Sequence, residues 1–180
     1  MKPPSAIVEP IEPHTFIACA MVEFMGDVQL AQLALIRGTT DSVRAMATYL
    51  IDDGNRVLLD IARIATRKNL PLPKSLDQEH EIILQYMREK AGTDFDSEYM
   101  ERIALHHRHA LKLFKRGQGI KIPEISALAS RVLAMIEARV KLSRQLSGGD
   151  SRLDGSGSAH SHAQANAPSS KGSSGRQQEK

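Results

Sequence analysis

Apolar residues recur along this chain at intervals of three and four, the spacing of one face of a helix. The first such stripe is Ala20, Phe24, Val28, Ala31 and Leu35, and it predicts a helix over about 16–37 with Thr15 as its N-cap. Gly38-Thr39-Thr40-Asp41 ends that helix and caps the next, over about 42–68, whose stripe is Val43, Ala47, Leu50, Leu58, Ile61 and Ala65. "NLPLP" (69–73) stops it, because proline neither continues a helix nor favours one in the residue before it. A shorter helix is expected over about 76–90, and Asp94 or Asp96 caps a fourth running to about Arg116. Its seam is Met100, Ile103, His107, Ala110 and Phe114. "GQG" (117–119) breaks the pattern, and Pro123 opens a fifth helix to about Ser147. Its stripe is Ile125, Leu128, Val132, Ile136, Arg139 or Val140, and Leu146. No alternating strand pattern occurs. Four long helices and one short one, joined by short breaks, predict an all-α antiparallel bundle.

One glycine interrupts this regularity. Gly54 lies inside the second stripe, between Leu50 and Leu58, where glycine costs about 1 kcal/mol relative to alanine.

The organisation expected is an extended, proline-rich arm over 1–14, the bundle over 15–147, and a low-complexity tail over 148–180 too poor in large apolar residues to order itself. Composition agrees with the helical reading: 41% of residues are hydrophobic, only 4% are aromatic and none is Trp, so the core is built of aliphatic side chains and Met. The net charge of +3 comes from 24 basic and 21 acidic residues, a mixed solvated surface rather than a footprint for nucleic acid. The single cysteine, Cys19, excludes an intrachain disulfide and reads as a buried, inert thiol in an Ala-rich stretch. No run of 18 apolar residues is present, so no membrane span is expected. Pro3, Pro4 and the acidic Glu9, Glu12 and Glu23 argue against a signal peptide, and the chain as written reads as cytoplasmic.

The order of the pieces resembles a bacterial ferritin-like family of unknown function. "GDVQLAQLAL" (26–35) is similar to the family's opening Gly-x-x-Glu-Val-x-Leu stretch, with Asp27 in the acidic slot, and "VRAMATYLIDDG" (43–54) resembles its VRAFAxxMVxDH segment. "KNLPLPKSLDQEH" (68–80) resembles a segment ending in Leu-Asp-x-x-His. "FDSEYMERIALHHRHALKLF" (95–114) is similar to FDxxYMxxMVxxHxxAxxLF at Phe95, Asp96, Tyr99, Met100, His107, Ala110, Leu113 and Phe114. "LAMIEARVKLSRQL" (133–146) resembles the closing helix. The resemblance implies a ferritin-like fold and, because such proteins are often labelled as exported or outer-membrane, an envelope location. It also implies two departures: the family's Asp-His is Asp53-Gly54 here, and its last-helix His is Arg139.

At 1.5 Å per residue, Asp27, Gly54, His107 and Arg139 fall near one mid-bundle layer, the depth of di-metal sites in ferritin-like proteins. A guanidinium in that layer disfavours a cation, so Asp27 is expected to pair with Arg139 or His107. The metal candidates are Asp27, His107, His80 and Asp53. Asp77-x-x-His80 has chelating spacing but reads better as a structural hydrogen bond. The cluster His106-His107-His109 lacks a local third ligand for His106 and His109, which puts His109 on the solvated face and leaves His106 ambiguous. No nucleophile motif or phosphate loop is found. The functional expectation is a non-enzymatic bundle with a degenerate metal site and no cofactor. It would act by binding a protein partner or itself, or in a stress- or envelope-related role. The alternative is an iron or manganese redox or storage protein.

Overall fold

The structure, a computed structural model, describes the backbone of residues 11–149 and side chains as far as Lys141. Of the tail predicted over 148–180, residues 148–149 continue the last helix and the rest lies outside the described residues, as does most of the arm predicted over 1–14. Five helices follow one another: α1 (Pro13–Arg37), α2 (Asp41–Lys68), α3 (Gln78–Arg88), α4 (Gly92–Gly117) and α5 (Pro123–Gly149). The described residues hold no strand. The predicted all-α bundle of four long helices and one short one is the architecture observed. α1 packs chiefly on α2, α4 on α5, and α1 on α4 across the bundle, while α3 covers the side formed by α1 and α4.

Local chemistry sets the breaks. Thr40 caps α2, its hydroxyl accepting from the Val43 N–H at 3.3 Å. Asn69 ends α2 in the left-handed region at φ 52°, ahead of the prolines that keep the chain from resuming a helix. Asp77 caps α3 by accepting from the His80 N–H at 3.0 Å. Two expected caps move. α1 begins at Pro13 without a side-chain cap, so Thr15 lies inside it. α4 begins at Gly92, also uncapped, and Asp96 caps a different helix. Its carboxylate accepts from Thr39 N at 3.0 Å, Thr39 Oγ1 at 2.7 Å and Thr40 N at 3.0 Å, at the start of α2.

The core divides in two. One cluster holds Phe16, Phe24, Ile61, Phe114, Leu128 and Ile136, with Phe16 and Phe24 both meeting the Phe114 ring edge-on. The other holds Leu30, Leu50, Met87, Phe95, Tyr99 and Ile103. Between them in sequence on every helix that joins both lie the polar or small residues: Gly26 and Asp27 on α1, Asp53 and Gly54 on α2, His106 and His107 on α4. The predicted stripes are narrower than the buried faces. Val57 is buried where Leu58 was expected to be, and Leu35 is 42% exposed. Cys19 is exposed rather than buried, because it lies outside the α1 face made by Phe16, Ile17, Ala20 and Phe24. Over an 18-residue window α1 reaches a mean hydropathy of 1.4, long and apolar enough by composition to cross a membrane, although 44% of that window is packed inside the bundle.

Candidate metal centre

Glu23, His80 and His106 come together where α1, α3 and α4 meet, with one ligand atom from each lying within 4.8 Å of the other two. Each side chain arrives for a local reason. Glu23 sits on α1 one turn before Asp27, facing α3 and α4, and is half-buried. His80 is in the first turn of α3, where the capping carboxylate of Asp77 also accepts from His80 Nδ1 at 2.6 Å. This fixes the imidazole with its Nε2 toward Glu23, whose carboxylate is 4.0 Å away. His106 projects from α4, and its Nδ1–H donates to Asp27 at 2.8 Å inside the core. The two imidazoles meet edge to face, with centroids 5.6 Å apart.

Both histidines therefore give their Nδ1 hydrogen to a carboxylate and keep Nε2 for a ligand. This is the arrangement by which outer carboxylates orient and strengthen metal-binding histidines. The close approach of α3 to α1 depends on Gly26, since a Cβ there would collide with the His80 ring. A recess of about 70 Å³ opens beside the cluster, lined in part by Arg102 and His109.

The charges in the cluster act on one another. Burial pushes the Glu23 carboxyl above its ordinary range against the pull of His106 and His80. Burial pushes the His106 imidazole down, but its hydrogen bond to Asp27 outweighs this, so its pKa stands above the ordinary value. The Asp77 carboxyl is held low, the hydrogen bonds from His80 outweighing its desolvation.

The mid-bundle layer is built differently from expectation. Asp27 pairs with His106, not with His107 or Arg139, because His106 is the imidazole that α4 turns toward α1 at that depth. Arg139 instead reaches across to Asp53, at 2.6 Å, an ion pair largely shielded from water. His107 is buried, and its Nε2, Tyr99 Oη and Arg139 Nε find no hydrogen-bond partner among the described residues. Burial, reinforced by the Arg139 charge, holds the His107 pKa below its ordinary value. The space facing Gly54 is filled by Val28, whose Cγ2 would lie 2.6 Å from an added Cβ.

Of the four residues singled out as metal candidates, only His80 is in the converging group. Asp27 stands behind it as the support of His106, while Asp53 and His107 lie outside it. His106, which the sequence left open between surface and interior, is buried, and its missing ligands come from α1 and α3 rather than from its own helix. Glu23 was visible in the sequence only as the one acid interrupting an apolar stretch.

The sequence matches, over residues 4–146, the family described as "Domain of unknown function (DUF4142)". The chain belongs to that family. No curated protein matches it. Two solved structures share the fold of this DUF4142 chain. One is the crystal structure of a DUF305 fragment from Deinococcus radiodurans, 15% identical, with a TM-score of 0.67 over 78% of this chain and 99% of that one. The other is CopM in its Cu(I)-bound form, 17% identical, with a TM-score of 0.63 over 76% of this chain and 95% of that one.

Proposed function

We propose that this DUF4142 chain is a metal-binding helical bundle that holds one transition-metal ion at Glu23, His80 and His106, without catalysing a reaction. The observation that carries this reading is the pair of histidines locked by Asp77 and Asp27, with His80 Nε2 facing the half-buried Glu23 carboxylate and a ligand atom of His106 within 4.8 Å of both. Three donors that hold an ion at about 2.0–2.2 Å stand closer together than these do, so side-chain rotation must draw the group in. Two imidazoles and a carboxylate suit Cu(II), Zn(II) or Ni(II) better than Cu(I), which favours sulfur ligands. That CopM was solved with Cu(I) supports metal binding on this fold but does not transfer its ion.

An iron or manganese centre of the di-metal type is the weaker reading. It needs Glu on two helices and Glu-x-x-His on two others, whereas the converging group here offers one carboxylate. The older site, on this view, is retired. Arg139 occupies its layer with Asp53, and Val28 fills the place facing Gly54. A binding role in metal stress or in the cell envelope follows from this reading and from the family resemblance.

The test is titration of the untagged, metal-free chain with Cu(II) and Zn(II), followed by calorimetry and elemental analysis. One ion per chain is expected, with affinity lost by at least a hundredfold in the His80→Ala/His106→Gln double variant and kept in His107→Ala. Binding that survives the double variant, or that disappears with His107 alone, would overturn the assignment.

A further inference from the structure

We propose that His109 is the fourth ligand of this centre, closing it from the solvent side. The inference rests on the metal-binding reading and adds to it the residue that decides whether the centre is open or closed.

Three protein donors leave a tetrahedral ion with one position unfilled. The recess beside the cluster opens at that side, and His109 lines it together with Glu23, His80 and His106. His109 follows His106 by three residues on α4, so the two imidazoles stand on one stripe of the helix. His106 is turned into the bundle and His109 outward, exposed at the mouth. The two other polar groups at the recess are less suited. Arg102 is a cation tied to Glu98 at 2.8 Å. Glu79 is the immediate neighbour of His80 in the first turn of α3, pointing about 100° away from it and favourably placed for the helix dipole. His109 makes no hydrogen bond among the described residues, so its ring can swing inward without breaking one.

An imidazole in the fourth position makes the donor set three nitrogens and one oxygen. A site filled in this way has no open position for a substrate, which fits holding and handing on an ion rather than turnover. The exposed ligand is then the last to engage and the first to let go.

The experiment loads Cu(II) into the untagged full-length chain carrying His160→Gln and His162→Gln, so that the tail histidines do not compete. Pulsed electron paramagnetic resonance counts the coordinated imidazoles, and calorimetry gives the affinity. The parent is expected to show three imidazoles. His109→Gln is expected to show two, with affinity weaker by about tenfold or more and faster release to a chelator. Gln is tolerated at an exposed helical position, and unchanged helix content verifies that the bundle is intact. Two imidazoles in both proteins would overturn the proposal, whatever happens to the affinity, because a charge effect alone would produce that result. Copper binding indifferent to His80 and His106 would instead remove the centre itself, so the two failures are distinguishable.

Discussion

The His80 ring lies where a side chain at position 26 would be, and that contact makes Gly26 part of the candidate site although it carries no ligand. Gly26→Ala gains helix propensity but must push the imidazole away from Glu23. The expected result is a net loss of about 1–2 kcal/mol in urea unfolding and a metal affinity at least tenfold weaker, with helix content unchanged. Unaltered affinity would mean that His80 is not held by this contact. Gly54 obeys the same steric logic with a different neighbour. A Cβ there would meet Val28 Cγ2, the branch of a stiff and buried side chain. Gly54→Ala alone is expected to cost about 1 kcal/mol, the overlap outweighing the propensity gain. In a Val28→Ala background the same change should stabilise by up to about 1 kcal/mol. A double-mutant cycle measures the coupling, and additive effects would show that Val28 is not what excludes a side chain at 54.

At the scale of elements, the start of α2 is held from outside. Asp96, in the second turn of α4, supplies the carboxylate that the first N–H groups at Thr39 and Thr40 need. Asp96→Ala is expected to cost about 1–2 kcal/mol in chemical denaturation. The hydrogen bonds from Thr39 and Thr40 outweigh desolvation and hold the Asp96 pKa below its ordinary value. Its stabilisation is therefore complete above the unfolded pKa of about 3.9 and is lost as pH falls through the lower folded value. An Asp96→Ala chain should show a shallower loss of stability than the parent below about pH 4; parallel acid profiles would contradict the cap. The two roles offered for Asp96 show what a sequence discloses. Helix existence was legible because the 3–4 spacing of Val43, Ala47 and Leu50, or of Ile125, Leu128 and Val132, is a local property. Which helix Asp96 caps was not, since Thr39 is 57 residues away. The same limit hid the candidate site. Asp77-x-x-His80 was readable as a hydrogen bond within one turn, but Glu23 and His106 belong to helices whose relative rotation only packing determines. The neighbours His106 and His107 differ by about 100° around α4, enough to send one toward Asp27 and α3 and the other into the core.

For the molecule as a whole, protons would compete with the proposed ion for the same groups. The His106 pKa is raised in the fold, so its contribution is fully present below the unfolded value of about 6.5 and is lost as pH rises through the folded one. His107 acts in the opposite sense. Its pKa is lowered, so its contribution is present above about 6.5 and is lost as pH falls through the folded value. Burial raises the Glu23 pKa, which costs stability as pH climbs through the carboxylate range above about 4.3. The metal-free protein should therefore be most stable at mildly acidic pH and weaken toward pH 8, and His106→Gln should flatten that alkaline decline. A bound ion reverses the sense of the alkaline limb, because it needs the neutral imidazoles and the ionised carboxylate that acid removes. At a hundredfold excess over the dissociation constant, an ion that binds only the folded state adds about 2.7 kcal/mol. For a domain of this size that is a rise of roughly 5–10 °C in Tm. Calorimetric scans at pH 6 and pH 8, with and without Zn(II), should show a larger metal increment at pH 8. An increment independent of pH would mean that the ion is not held by the histidines coupled to Asp77 and Asp27.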